Sequence, residues 1–286
     1  MNRRVPTLER HDFNQLRELI EDWCGIALED NKLYLVETRL RDLVMELGCD
    51  TYAEFFRKAQ RADRDLRDRI VDDMTTNETS WFRDELFWDM LRTHLIPAVA
   101  ERAAQDNQTT VRVWSAACST GQEPYSIAIL LNEMQRSGEL HGLAADSFRI
   151  VASDISRSAL QIAKSARYDP ISMRRGMQPA LRDRYFALDG RVHVLREEVR
   201  KNVQFRRMNL LDPLSHLGLF DMVLLRNVLI YFSSDCKRRI VDKVSSMLVP
   251  EGALAVGATE SPEVYTQALD TVRAGRCTYY RAKERS

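Results

Sequence analysis

The chain has 286 residues, 44% of them hydrophobic and 29% charged, with 42 basic side chains against 42 acidic ones. A core of ordinary size can form from this composition without metals or disulfides. Zero net charge removes the global positive field that drives sequence-independent nucleic-acid binding, so no nucleic-acid partner is expected.

The five cysteines (Cys24, Cys49, Cys118, Cys236, Cys277) are scattered, with no C-x-x-C pair and no histidines at zinc-ligand spacing. They read as reduced thiols, and no metal is expected. The N-terminal MNRRVPTLERHDF lacks an apolar signal core, and the most apolar run, LFDMVLLRNVLIYF, is broken by Asp221, Arg226 and Asn227. A cytoplasmic protein that does not insert into a membrane is expected.

From about residue 9 to 73, apolar positions recur at helical spacing: Leu16, Leu19, Ile20 and Trp23, then Val36, Leu40, Leu43 and Val44, then Phe55, Phe56 and Ala59. They predict an N-terminal all-α domain over 1–74, with Gly25 and Gly48 at helix C-termini. The stretch TTNETS (75–80) leads to one more helix beginning near Trp81, with Phe82, Leu86 and Met90 on one face. Beyond it, strand-like runs VRVWSAA (111–117), FRIVASD (148–154), VQFRRMN (203–209), FDMVLLRN (220–227) and GALAVGATE (252–260) alternate with helical patterns. The alternation predicts an α/β domain over 75–286, built on a doubly wound, mostly parallel sheet. The segment from about 168 to 200 breaks it and reads as an inserted small β-subdomain, with a hairpin around Asp189-Gly190.

In such a sheet, ligands sit outside the carboxyl ends of the strands. After the first strand comes CSTGQEPYS, a small-residue loop in which Gly121 would admit a ligand close to the backbone. Glu123 there either balances the dipole of the following helix or accepts from a ligand's ammonium group. Asp154, after the second strand, stands where nucleotide-binding sheets place an acid for ribose hydroxyls; alternatively it caps the helix starting near Ser156. Asn209-Leu210 ends the third strand, as a plain turn or as an amide and apolar side chain flanking an adenine. The fourth runs into LLRNVLIYF, where Arg226 needs a partner, either a structural ion pair or a ligand. Tyr231 falls one turn after Asn227, on the same face if the chain is helical there.

TTNETSWFRD, VWSAACSTGQEPYSIA, ASDIS, RRMNLLD and FDMVLLRNVLIYF resemble, in order and spacing, the motifs of the CheR chemotaxis receptor methyltransferases. The resemblance covers nearly the whole chain. It implies a class I methyltransferase-like fold and transfer of a methyl group from S-adenosylmethionine to glutamate side chains of chemoreceptors. The products implied are glutamate methyl esters and S-adenosylhomocysteine. By matching motifs, Asn77, Thr79, Arg83, Glu123, Asp154, Asn209, Leu210, Arg226 and Asn227 would surround the cofactor, with Arg83 and Tyr231 nearest the transferring methyl group. Gln122 departs from the pattern, which often has a second acid there; Glu123 keeps to it.

Two other readings stand beside this one: a methyltransferase for another substrate, and a non-catalytic S-adenosylmethionine-sensing module of a signalling array. RNVLIYF lacks the Asp/Asn-Pro-Pro-aromatic tetrapeptide of amino-methylating nucleic-acid enzymes, and the presence of both Arg83 and Tyr231 favours catalysis. The partner implied is the cytoplasmic methylation region of chemoreceptors. Residues 174–207 carry ten Arg or Lys against four acids, which makes the insert either a docking surface or a solvated charged face. Some relatives tether to a short peptide at the receptor's C-terminus through a longer, Gly-containing hairpin loop in this insert. Here the connection is read as Ala187-Leu188-Asp189-Gly190, too short for such a tether.

Overall fold

The computed structural model describes residues 6–283. Four helices come first: α1 (Arg10–Cys24), α2 (Leu33–Glu46), α3 (Tyr52–Gln60) and α4 (Arg64–Met74). Phe13, Leu16, Ile20, Leu40 and Phe55 bury together between them, as the helical spacing predicts. Gly25 closes α1 in the left-handed region at φ 77°, its N–H donating to the Glu21 carbonyl. Thr51 and Asp63 cap α3 and α4, accepting from the N–H groups of Glu54 and Leu66.

A strap of residues 75–84 follows, then α5 (Glu85–Met90), which runs through a π-helical turn into α6 (Ile96–Gln105). The helix expected near Trp81 therefore starts four residues later. Phe82 and Asp84 have φ of 47° and 65°, outside any right-handed helix. Leu86 is exposed, and the face that packs is Phe87, Trp88, Met90 and Leu91.

The remainder alternates: β1 (Val111–Ala116), α7 (Gln122–Arg136), β2 (Phe148–Asp154), α8 (Arg157–Ser165), then an insert of β3 (Arg167–Tyr168), α9 (Pro170–Arg174), α10 (Pro179–Tyr185), β4 (Phe186–Asp189), β5 (Val192–Leu195) and α11 (Glu197–Arg200). It closes with β6 (Val203–Arg207), β7 (Phe220–Leu225), α12 (Ser234–Ser246), β8 (Leu248–Val256), β9 (Leu269–Ala274) and β10 (Cys277–Ala282). The main sheet has seven strands in the order β6-β2-β1-β7-β8-β10-β9. The first five are parallel, and β10 runs antiparallel to both neighbours. The order reverses between β1 and β7, the switch point at which open sheets of this kind bind ligands.

All of β7 is buried because both sheet faces are covered. Met222 and Leu224 point into the core under α5, α6 and α7, while Val223 and Leu225 point into the core under α12.

Four of the five strands are bounded differently from the sequence reading, the first by one residue, since it stops at Ala116. The third and fourth strands stop at Arg207 and Leu225, so Asn209, Arg226 and Asn227 belong to loops. The fifth spans Leu248–Val256 rather than 252–260, which leaves Gly257–Glu260 as a turn. The antiparallel pair β9–β10 has no counterpart in the sequence pattern.

The insert is a three-stranded antiparallel sheet, β3-β5-β4. Arg184-Tyr185 end α10 instead of opening the hairpin, and Asp189 pairs with Val192, so the connection is the two residues Gly190-Arg191. Its root is fixed to the strap. The Trp81 backbone N–H donates to the Arg175 carbonyl at 2.9 Å, and the Trp81 ring packs edge-on against Tyr168 and Phe186. A Cβ on Gly176 would lie 2.0 Å from the Trp81 carbonyl oxygen, so only glycine fits this contact.

Candidate active site

A cleft of about 540 Å³ opens at the carboxyl ends of β1, β2, β6 and β7. Its opposite wall comes from the α1–α2 connection, from Arg39 on α2 and from the strap. All ten residues singled out in the sequence line it: Asn77, Thr79 and Arg83 from the strap, Glu123 from α7, Asp154, Asn209 and Leu210 from the ends of β2 and β6, and Arg226, Asn227 and Tyr231 from the loop after β7.

The β1 loop is unusual backbone, with Ala117 and Ser119 at φ 61° and 50°. Asp154 holds it, one carboxylate oxygen accepting from the Ser119 N–H at 2.7 Å and the other from the Ser156 N–H at 2.9 Å. Ser156 itself caps α8 by accepting from the Ala159 N–H, so Asp154 is not the helix cap. Burial pushes the Asp154 carboxyl up, opposed by the backbone N–H groups it accepts from. The Ser119 hydroxyl donates to the Asn77 carbonyl at 2.9 Å and ties this loop to the strap.

Gly121 does not face the cleft. A Cβ there would meet Ala163 Cβ at 2.9 Å and the Tyr168 hydroxyl at 3.1 Å, so the glycine serves its φ of 92° and packing on α8 and β3, not a ligand. Gln122 is buried and accepts from the Thr120 hydroxyl at 2.7 Å.

Arg226 finds its partners within the chain. Its side chain, 2% exposed, pairs with Glu123 at 3.0 Å and Asp84 at 2.7 Å, and it donates to the Arg83 carbonyl at 3.1 Å. The guanidinium also lies over the Phe87 ring, 3.8 Å from its centroid. The structural ion pair is thus what this structure holds. Glu123 accepts in addition from the Ser115 hydroxyl at 2.9 Å; burial raises its carboxyl and Arg226 opposes the rise.

Asn209 likewise uses its amide internally, donating to the Trp23 carbonyl at 2.8 Å and accepting from the Leu211 N–H at 3.0 Å. Asn227 sits at φ 56°, so Tyr231 is not one helical turn beyond it. Tyr231 lies in a separate 3₁₀ turn, Leu229–Tyr231, and its carbonyl accepts from the Ala27 N–H at 2.8 Å. Both residues still reach the cleft. Arg83 is half-buried, and its guanidinium makes one long hydrogen bond, 3.5 Å, to the Glu78 carbonyl.

Sequence reasoning missed two residues that shape the site. Arg39 donates to the Met74 carbonyl at 2.5 Å, the Thr75 carbonyl at 3.1 Å and the Thr76 hydroxyl at 2.8 Å, which fixes the start of the strap. Glu260 accepts from four backbone N–H groups behind the β7 loop. Its one signal is an acid just past the fifth strand, and a strand pattern carried on through GATE conceals it.

The donor set suits a zwitterionic nucleoside cofactor. Two carboxylates, Glu123 in the first turn of α7 and Asp154 at the end of β2, face the cleft, Leu210 and Val228 offer apolar surface, and Asn77 and Thr79 add amide and hydroxyl groups on the opposite wall. A seven-stranded sheet of this order, with one reversed strand and its cleft at the switch point, is the class I methyltransferase-like fold.

The chain belongs to the CheR methyltransferase family: residues 77–276 match its S-adenosylmethionine-binding domain and residues 11–75 its all-alpha domain. The cofactor of this domain is S-adenosylmethionine, and S-adenosylhomocysteine is its product. Among similar proteins, chemotaxis protein methyltransferase 1 of Pseudomonas aeruginosa is 39% identical over 273 residues, 95% of this chain and 98% of that protein. The chemotaxis protein methyltransferase of Vibrio anguillarum is 38% identical over 282 residues, 97% of this chain and 98% of that protein. Among the described residues, no helix is long and apolar enough to cross a membrane.

Proposed function

We propose that this chain methylates glutamate side chains in the cytoplasmic methylation region of chemoreceptors, forming glutamate methyl esters. The observation that carries the reading is convergence: ten residues spread from Asn77 to Tyr231 line one cleft at the switch point. S-adenosylmethionine, when bound, supplies an electrophilic methyl group. Asn77, Thr79, Glu123, Asp154, Asn209, Leu210, Arg226 and Asn227 would hold it, with Glu123 and Asp154 as its acceptors.

A substrate glutamate with an ordinary pKa of about 4.3 is already ionised at neutral pH, so no residue of this chain has to remove a proton. The site's work is alignment and exclusion of water. Arg83, half-buried and weakly bonded, is free to orient the incoming carboxylate, while Tyr231 borders the same space. Arg226, committed to Glu123 and Asp84, acts by holding the acid and the strap in place.

The reading includes a cytoplasmic location and no nucleic-acid partners. It divides the chain into 1–74 and 75–286 with an insert at about 168–200; the end of α4 at Met74 and the change of family model between 75 and 77 support the division. Incubation with radiolabelled S-adenosylmethionine and receptor fragments tests the activity. Label that is released by mild base is expected, because esters hydrolyse where N-methyl groups do not; base-stable label or none at all overturns the reading.

Docking is proposed to be direct rather than through a C-terminal tether. Support comes from the two-residue connection Gly190-Arg191. Of the ten basic residues in 174–207, however, Arg175, Arg182, Arg184, Arg200, Lys201 and Arg207 pair with carboxylates of this chain. A docking role therefore falls to Arg174, Arg191, Arg196 and Arg206. Methylation of a receptor lacking its C-terminal tail is expected to proceed at the full-length rate, and micromolar binding of tail peptides in calorimetry would contradict it.

A further inference from the structure

Glu260 lines no part of the cleft, yet its side chain is buried and carries no ion pair among the described residues. Its carboxylate is balanced by backbone alone. Oε2 accepts from the N–H groups of Asn227 at 2.8 Å and Gly257 at 2.7 Å, and Oε1 from those of Val228 at 3.0 Å and Leu229 at 2.7 Å. Three consecutive N–H groups can converge on one anion because Asn227 is left-handed, at φ 56°; such a concavity is an anion nest. Here the anion is a side chain of the protein.

The fit leaves no slack. A Cβ on Gly257 would lie 2.8 Å from Glu260 Oε2 and 2.7 Å from Asn227 Nδ2, so the glycine clears the path of the carboxylate. The loop held in this way carries Arg226, Asn227 and Tyr231, all three on the wall of the cleft. Its far end is tied to the N-terminal helices through the Ala27 N–H and the Tyr231 carbonyl. Between Leu225 and that tie, Glu260 binds three consecutive backbone N–H groups of the loop, and it does so from just beyond the end of the neighbouring strand, β8.

We infer that Glu260 is a positioning residue for methyl transfer, setting Asn227 and Tyr231 against the cofactor and substrate by binding the β7 loop as an anion binds a nest. The inference rests on the methyl-transfer reading above. It assigns Glu260 no contact with substrate or cofactor. In Glu260→Gln, one oxygen becomes an NH₂ group facing two backbone donors, so half of the acceptors are lost and donor meets donor. Glu260→Asp keeps the charge but is one methylene short of the nest.

The experiment measures kcat, cofactor KM and S-adenosylhomocysteine affinity for the parent, Glu260→Gln, Glu260→Asp and Tyr231→Phe proteins, and for each Glu260 variant combined with Tyr231→Phe. All are assayed well below their melting temperatures. Glu260→Gln is expected to lower kcat by roughly 10- to 100-fold, the scale of an ångström-sized misplacement. S-adenosylhomocysteine affinity should fall by a smaller factor than kcat, because Glu123, Asp154 and Asn209 stand on other elements while Arg226 and Asn227 ride on the loop. Glu260→Asp should fall between the parent and Glu260→Gln. The decisive readout is coupling: Tyr231→Phe should lose less activity in the Glu260 variants than in the parent.

Parent-like kcat in Glu260→Gln, or full additivity with Tyr231→Phe, overturns the inference. If Glu260→Gln does not fold, the cycle with Glu260→Asp decides the matter, and additivity there overturns it equally. A parent protein that transfers no methyl group would sink the functional reading instead, an outcome distinct from these.

Discussion

The two walls of the cleft are built differently. On the sheet side most polar groups are bonded inside the chain: the terminal nitrogens of Arg226 by Glu123 and Asp84, though its buried Nε has no partner, Asp154 by two backbone N–H groups, and Asn209 by Trp23 and Leu211. On the strap side Arg83 is half-buried and makes a single 3.5 Å bond. Preorganisation therefore resides in the sheet loops, whose side chains hold geometry, while adaptable contact resides in the strap. A buried, bonded network fixes where a ligand sits; a loosely held guanidinium can follow a substrate that arrives later.

The contrast assigns the largest effect to the sheet wall. Arg226→Met should cost roughly 3–5 kcal/mol of stability, because it leaves Glu123 buried without its cation. Urea unfolding measures it; a loss near zero would mean the network is not the fixed element.

Arg83→Ala sharpens the other side. Turnover is expected to fall by roughly 10²-fold while stability stays within about 0.5 kcal/mol of the parent. Tyr231→Phe should give a smaller loss of turnover, since it keeps the ring. Equal losses of stability and activity in Arg83→Ala would erase the distinction between the walls.

The smallest effect concerns the seam between the helical unit and the sheet, where Asp68 pairs with both terminal nitrogens of Arg207. The Arg207 guanidinium holds the Asp68 carboxyl below its ordinary 3.8. Its contribution is therefore complete above the unfolded pKa and is lost as pH falls through the lower folded value. Asp68→Asn should cost about 1 kcal/mol at neutral pH. The gap between parent and variant in unfolding midpoint should close in acid, and a gap that persists there would show the pair to be structural without its charge.

The sheet wall is the more legible in the sequence. Polar residues at or just after apolar runs mark Asp154, Asn209 and Arg226, and the small-residue loop after the first run leads to Glu123, because strand ends at a switch point are polar for a reason that local pattern exposes. What stays hidden acts at long range. Arg39 is one more basic residue on a helix until the strap folds across it, and Asp68 meets Arg207 over 139 positions. Strand β9 buries only its two ends, Leu269 and Ala274, so no alternation announces it. Asn227 misleads in the opposite way: its spacing to Tyr231 is that of a helix, and its left-handed φ cuts the helix.

Gly176 closes one freedom and leaves another. Because its backbone rests against the Trp81 carbonyl, the insert's root is welded to the segment that carries Arg83, whereas the Gly190-Arg191 tip meets nothing within reach of an added side chain at Gly190. Such a module can be re-specified at its tip and not at its base. A change at the hairpin tip leaves the root, the strap and the cleft as they stand, so the insert's outer surface and its inner seam can vary separately.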